Sequence, residues 1–190
     1  FDATVLIDGF LHGGASKTGI YFTAYNIFSE LLKNSNFNTI IYCEEVKIAA
    51  AREFLRHYFS EYKIPVFSQK SEHSCINVFF SPVFKVPEHI KDKNWIYKFI
   101  IFYDILPLSH PEYFKDNFTP WFFEMLNSIN KEDSYFCISQ YTAQEFLKYV
   151  PKLCPQQLTV TPLAASPSFR ASKKHFLPNK IRQKYHIPLN

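Results

Sequence analysis

Phe99-Ile-Ile-Phe-Tyr103 is the longest unbroken apolar run in the chain, and the acidic residue Asp104 follows it directly. Branched and aromatic side chains without a polar position are typical of a strand that is buried on both faces. Strands of this kind belong to parallel sheets that helices cover on both sides. The stretch therefore predicts a central strand of a parallel sheet, with Asp104 at its carboxyl end.

Shorter apolar runs flank this strand and alternate with stretches of helical period. Apolar residues three and four positions apart predict helices after residue 20, over residues 48–62 and around residues 121–129. Strands are predicted at residues 4–8, 39–43, 64–68, 76–80, 99–103, 135–139 and 158–163. This alternation predicts an α/β fold with a Rossmann-like, doubly wound parallel sheet. In addition, Thr142-Ala-Gln-Glu145 has the form of a capping box that opens a helix through Val150.

The composition is that of a globular protein. Of 190 residues, 47% are hydrophobic and 20% are charged, which excludes general disorder. The apolar runs are far shorter than the roughly 18 residues of a membrane span, so no segment is predicted to cross a bilayer. We interpret the chain as a piece of a longer protein, with a domain over residues 1–167 and a basic linker or helix over residues 168–190.

The net charge of +4 is too small to indicate a nucleic-acid partner. Its distribution is uneven, because the last eighteen residues carry five basic side chains and no acidic one: Lys173, Lys174, Lys180, Arg182 and Lys184. This segment is either a solvated helix face or a patch that contacts a phosphate or the cytoplasmic leaflet of a membrane.

Cysteine usage gives no sign of a metal or redox centre. Cys43, Cys75, Cys137 and Cys154 form no C-x-x-C motif and no paired spacing with the histidines. We therefore expect no metal and a reducing, cytoplasmic location.

The loop after the first predicted strand contains every glycine of the chain. Gly13, Gly14, Thr18 and Gly19 could bring backbone N–H groups and a helix N-terminus to a phosphate. The alternative is a flexible turn in which Thr18 caps the helix. A P-loop is disfavoured because Ile20 and its neighbour stand where Lys and Ser or Thr are needed, and the missing G-x-G-x-x-G disfavours an NAD-dependent oxidoreductase.

Other candidate residues follow further strands, where ligands of parallel sheets bind. Asp104 and the adjacent Tyr103 could meet a ligand hydroxyl, and Asp104 could act in acid–base chemistry. Ser81, His110 and Ser139 are candidate contacts for a sugar or an acceptor. Each of these residues also has a purely structural alternative. Asp104 could cap the following turn, and His110 could precede a helix that begins with proline. Ser81 could shape its loop, and Ser139 could cap a helix.

The order of these motifs resembles the N-terminal half of the glycosyltransferase family 4 type. The segments that carry the resemblance cover nearly all of the chain: Thr18-Gly-Ile-Tyr, Phe79-Phe-Ser-Pro82, residues 102–114, residues 138–146, Val160-Thr-Pro-Leu-Ala-Ala165 and residues 180–188. The family often has His-Asp where this chain has Tyr103-Asp104. A tyrosine hydroxyl is longer and far less basic than an imidazole, although it can still donate or accept a hydrogen bond.

The resemblance implies a GT-B enzyme, in which this chain is the acceptor-side domain and a separate C-terminal domain holds the donor. It implies a retaining hexosyl transfer from a nucleotide sugar to a lipid-linked glycan in bacterial surface polysaccharide synthesis, without a metal. Asp104 and Tyr103 would be catalytic, Gly13, Gly14, Thr18 and Gly19 would approach the donor diphosphate, and peripheral contact with the inner face of the membrane is expected. The competing hypothesis is a binding module for a sugar or nucleotide, or a subunit of a split enzyme.

Overall fold

The computed structural model describes residues 1–71, 76–114, 118–127, 129–164, 179–186 and 188. Strands and helices alternate along this chain, with short 3-10 turns between them. The strands are Ile41–Tyr42 (β1), Val66–Phe67 (β2), Val78–Ser81 (β3), Tyr97–Phe102 (β4), Ser134–Cys137 (β5) and Leu158–Val160 (β6). The helices are Thr4–His12 (α1), Gly19–Lys33 (α2), Ile48–Tyr58 (α3), Glu88–Lys91 (α4), Leu106–Ser109 (α5), Phe118–Asn127 (α6), Gln140–Tyr149 (α7) and Asn179–Tyr185 (α8).

The main sheet is parallel, as the apolar runs predict. Strands β3, β4, β5 and β6 pair in that order, and every pairing between neighbours is parallel. A second parallel pair is formed by β1 and β2. Helices flank the sheet, so the prediction of an α/β fold with a parallel sheet is confirmed.

Residues 1–3 connect the two groups of strands. The amide of Asp2 donates to the carbonyl of Phe80 in β3 at 2.9 Å, and Ala3 donates to Tyr42 in β1 at 2.9 Å. In return, the amide of Tyr42 donates to the carbonyl of Phe1 at 2.7 Å, which makes a parallel bridge. The order in space is therefore β2, β1, residues 1–3, β3, β4, β5 and β6.

The strand predicted at residues 4–8 is wrong, because these residues begin helix α1. Residues 1–3 already occupy the place between β1 and β3, and the carboxylate of Asp2 accepts a hydrogen bond from the amide of Thr4 at 2.9 Å. The helix buries Leu6 and Ile7 against α2 and α3. A short apolar run fits either period, and here the neighbouring backbone decides between them.

The capping box predicted at Thr142 is also wrong. The N-cap lies three residues earlier, at Ser139, whose hydroxyl accepts a hydrogen bond from the amide of Thr142 at 3.0 Å. Thr142 itself is buried and faces β4. Only Ile138 lies between β5 and the Ser139 cap, so the connection from strand to helix is short.

The core lies on both faces of the sheet. In β3, Phe79 packs with Ile90 and Ile96, whereas Phe80 packs against the cluster around α1, α2 and α3. This alternation is expected of a strand that is covered on both sides. A further cluster joins β4 and β5 to α6 and α7.

Within the described ranges, no helix combines the length and the apolar character that a membrane span requires. The boundary expected at residues 167 and 168 lies outside the described residues.

Candidate functional site

A cavity of about 360 Å³ opens at the carboxyl ends of β3 and β4. It is lined by residues that follow these two strands, by the first turn of α2 and by α6. The lining residues are Ile20, Val83, Phe84, Lys85, Phe102, Tyr103, Asp104, Pro107, Phe114, Phe118, Phe122 and Met125. Ligand pockets of proteins have volumes from about 300 to 1,000 Å³. The cavity therefore has the size and the position of a ligand site in a parallel α/β sheet.

Tyr103 brings a buried hydroxyl to this cavity. Its oxygen makes no hydrogen bond of standard geometry to any described residue. Burial raises the pKa of Tyr103 to about 12, and the hydroxyl of Thr23 in α2 opposes part of that shift. The group is therefore protonated at neutral pH and has a hydrogen to donate.

Asp104 lies at the rim of the cavity and is exposed. One carboxylate oxygen, Oδ1, accepts a hydrogen bond from the amide of Leu106 at 3.0 Å, so the residue does shape the turn that leads into α5. Asp104 therefore shapes the turn through one oxygen and also lines the cavity.

The residues of the glycine segment, Gly13 to Gly19, do not all lie at the cavity. Gly19 begins α2, and its neighbour Ile20 lines the cavity. Thr18 is the N-cap residue, as predicted, but its hydroxyl makes no capping hydrogen bond. Gly13 and Gly14 have positive φ angles of 59° and 36°, and neither has another atom close to where a Cβ would stand. Only the Gly19 end of the segment is brought to the cavity.

Two of the predicted contact residues have structural partners. Ser81 is fully buried, and its hydroxyl donates to the carbonyl of Val83, so it shapes the loop after β3. Ser139 caps α7 and pairs with the hydroxyl of Thr142 at 2.9 Å. Neither side chain is part of the cavity wall. For both residues the structure shows the alternative that the sequence left open.

His110 is half exposed and lies outside the cavity lining. Its ring nitrogen Nδ1 is 3.1 Å from the carboxylate of Glu112, and its ring stacks on Tyr113 with centroids 5.5 Å apart. A 3-10 turn begins at Pro111 directly after it, as its alternative predicts. The structure does not bring His110 together with Tyr103 and Asp104.

Lys85 is a polar residue of the cavity that the sequence did not single out. It comes four residues after Ser81, the end of β3, and it is exposed at the cavity. Its charge also acts on Asp2, whose pKa is raised by burial and lowered in part by hydrogen bonds from Thr4 and by Lys85. The only feature of the sequence that could have indicated Lys85 as a site residue is its position soon after a predicted strand.

The aromatic wall of the cavity was also missed. Phe84 and Phe102 meet edge to face with centroids 4.2 Å apart, and Phe114 stacks on Phe118 at 5.1 Å. Phe122 lies 6.0 Å from Phe84 and completes this group. Aromatic residues are so frequent in the chain that the sequence could not separate these from ordinary core residues.

The part of the chain that the structure describes has no group of three His, Cys, Asp or Glu residues arranged to hold a metal ion. Burial raises the pKa of Cys43 and of Cys137 to about 11, so both thiols stay protonated at neutral pH. These two cysteines behave as small apolar side chains of the core.

Lys173 and Lys174 of the basic segment lie outside the described residues. Helix α8 contains Arg182 and Lys184, and Lys184 is exposed. The membrane contact of this segment stays a prediction.

Searches of known proteins provide no relative for this chain: no family model, no curated protein and no solved structure matches it.

Proposed function

We propose that the chain is the acceptor-side domain of a retaining glycosyltransferase. The complete enzyme would transfer a hexosyl unit from a nucleotide sugar to a lipid-linked glycan and would need no metal. The observation that carries the proposal is the meeting of Tyr103, Asp104 and the first turn of α2 at one cavity. The sequence resemblance assigns Tyr103, Asp104 and the segment that ends at Gly19 to the reaction.

The strand order supports a Rossmann-like sheet of the doubly wound type. When the segment 1–3 is counted as the first strand, the spatial order is third, second, first, fourth, fifth, sixth and seventh in chain order. The direction of winding reverses between the first and the fourth strand, and doubly wound proteins bind ligands outside the carboxyl ends at this point. The cavity begins immediately after the fourth of these strands.

The amino end of α2 supports the approach of a diphosphate. The helix has fifteen residues, and the Thr18 hydroxyl does not bond to its first amide groups. Helix N-termini stabilise anions through their N–H groups and their dipole. In this proposal the end of α2 near Gly19 stabilises the leaving diphosphate, as oxyanion holes stabilise developing negative charge.

Asp104 and Tyr103 have complementary roles in this scheme. The carboxylate of Asp104 accepts a hydrogen bond from the acceptor hydroxyl and takes its proton as that oxygen bonds to the anomeric carbon. The bond between this carbon and the diphosphate oxygen breaks, and the diphosphate leaves with the electron pair. The hydroxyl of Tyr103 donates to the sugar. Its high pKa suits it to donation and not to proton abstraction at neutral pH.

The test uses the open reading frame that contains this chain. The expressed protein is incubated with a panel of nucleotide sugars, and released nucleoside diphosphate and product mass are followed. We expect Asp104→Asn to lower kcat by at least about 100-fold, which is the usual contribution of a positioned acid or base. Asp92→Asn is the matched control, because Asp92 is exposed and lies outside this cavity. Unchanged turnover in Asp104→Asn would remove this residue from the mechanism.

A binding module remains a second candidate, and one observation favours it. Among the described residues that line the cavity, Asp104 is the only carboxylate, and no histidine joins it. A module of this kind, or a subunit of a split enzyme, would bind a sugar or nucleotide without turnover. Binding of a nucleotide sugar with no transfer by the expressed reading frame would support it.

A further inference from the structure

The cavity at β3 and β4 is apolar over most of its wall. Its lining includes the side chains of five phenylalanines: Phe84, Phe102, Phe114, Phe118 and Phe122. Side chains of aliphatic and thioether type complete the wall, among them Ile20 and Met125. Among the described residues that line it, polar side chains belong to Lys85, Tyr103 and Asp104. A wall of this composition suits an apolar ligand.

The cavity has a volume of about 360 Å³ and is open to solvent where Asp104 and Lys85 are exposed. Ordered water needs two to four polar partners, which phenylalanine rings do not provide. The volume lies near the lower end of the range of ligand sites, so it suits one hydrocarbon chain.

Three polar side chains at the cavity indicate that its ligand also has a polar part. The Tyr103 hydroxyl is buried and makes no hydrogen bond of standard geometry to a described residue, which costs free energy unless a ligand supplies a better partner. Asp104 and Lys85 are exposed and line the same cavity. A ligand that satisfies these three groups carries hydroxyl groups on its polar part.

We propose that this cavity binds an amphiphilic acceptor, with an alkyl chain against the phenylalanine wall and a hydroxylated head group at Tyr103 and Asp104. The proposal rests on the proposed function, since it names the acceptor class of that same site. It assigns the apolar part of the acceptor to this domain and makes the length of the alkyl chain a determinant of affinity.

The first experiment measures binding of alkyl glucosides to the 190-residue chain by calorimetry. Methyl, butyl, hexyl and octyl β-glucosides are compared below their critical micelle concentrations. Burial of a methylene group is expected to lower Kd about three- to fourfold, until the chain fills the cavity. A Kd that does not change from methyl to octyl would overturn the proposal.

A spectroscopic probe is available because Met125 is the only methionine of the sequence and lines the cavity. In protein labelled with ¹³C at the methionine methyl group, octyl glucoside should shift the Met125 signal and give nuclear Overhauser contacts with its alkyl protons. Methyl glucoside at the same concentration should do neither. Chain-length-dependent binding without contacts to Met125 would place the alkyl chain elsewhere and would overturn the assignment.

Two variants separate the tail from the head group. Ile20→Trp reduces the volume of the cavity and should abolish the gain from methyl to octyl. Phe22→Trp is its matched control, because Phe22 lies on the same turn of α2 but does not line the cavity. Tyr103→Phe should raise Kd by about two- to tenfold for every glucoside while the gain per methylene is unchanged.

The failure of this proposal differs from failure of the proposed function. Alkyl-chain binding with Met125 contacts, but without hexosyl transfer by the expressed reading frame, would uphold the cavity and refute the transferase. Transfer to methyl and octyl glucosides with equal kcat/KM would uphold the transferase and refute the alkyl site.

Discussion

The hydroxyl of Thr142, on the first turn of α7, donates a hydrogen bond of 3.1 Å to the backbone carbonyl of Tyr103 at the end of β4. Because its one hydrogen is used there, the hydroxyl of Ser139 must donate in the 2.9 Å contact between the two side chains. Ser139 also accepts from the Thr142 amide at 3.0 Å. The amino end of α7 is thereby hydrogen-bonded to the end of β4, where Tyr103 and Asp104 lie.

Replacement of Thr142 should destabilise this junction. In Thr142→Val the shape of the side chain is nearly kept, but the Tyr103 carbonyl loses its partner in a partly buried place. We expect the free energy of unfolding in urea to fall by about 1–3 kcal/mol. Thr142→Ser should restore most of it.

Thr159→Val is the control for this experiment, since Thr159 is exposed on β6 and surface changes stay within about 0.5 kcal/mol. Equal losses in Thr142→Val and Thr159→Val would show that the hydrogen bond to Tyr103 contributes nothing.

The contact between α1 and α2 requires glycine at position 9. A Cβ at Gly9 would stand 2.3 Å from Cδ2 of Tyr21, whereas a Cβ at Gly19 would meet no atom within 4 Å. We expect Gly9→Ala to lower the free energy of unfolding by about 1–3 kcal/mol through overpacking. Gly19→Ala should leave it unchanged or raise it by up to about 1 kcal/mol, because alanine restricts the unfolded chain.

Chemical denaturation of both variants measures the difference. A second substitution, Tyr21→Ala, should reduce the additional loss caused by Gly9→Ala, because the ring that clashes is gone. Additive losses in the double variant would contradict a direct clash.

Lys98 and Asp133 form a buried ion pair before β5, with Nζ and Oδ1 3.8 Å apart and with side chains that are 3% and 6% exposed. Burial raises the pKa of Asp133, and Lys98 opposes this rise. Lys98→Met should lower the free energy of unfolding at pH 7 by about 3–5 kcal/mol, because the Asp133 carboxylate is left buried without its cation.

The loss in Lys98→Met should depend on pH. Without Lys98 the pKa of Asp133 rises further, so the folded variant keeps a proton that the unfolded chain releases. Its free energy of unfolding then falls as the pH rises from the unfolded pKa towards the folded one. Urea titrations at pH 5, 6 and 7 should show a steeper fall than in the wild type, and Lys98→Met/Asp133→Leu should remove the excess slope. Parallel pH profiles of Lys98→Met and the wild type would refute this account.

Much of the fold could be predicted because the apolar period is a local property of the chain. The run that ends at Tyr103 predicts β4, and the stripe from Ile48 predicts α3, each within a few residues. Residues 4–8 were assigned to the wrong element because a run of four or five residues satisfies both periods. The choice between helix and strand depends on residues 1–3. These residues already occupy the strand position through backbone hydrogen bonds to Tyr42 and Phe80.

The candidate site was predictable in part for a similar reason. Tyr103 and Asp104 follow a strand, and such positions are recognisable along the sequence. Lys85 and Phe114 were not, because they reach the cavity from separate segments after β3 and α5. Ser81 has a comparable position at a strand end, but its hydroxyl donates to the carbonyl of Val83 and is therefore a loop contact.

The sequence by itself determined the α/β class, the parallel strands and the positions of Tyr103 and Asp104, since these depend on side-chain period over a few residues. Only the tertiary structure decided that α1 replaces a strand, that Ser139 caps α7, and that five phenylalanines and Lys85 enclose one cavity. Those features arise from contacts between residues far apart in the chain, and a local pattern contains no information about such contacts.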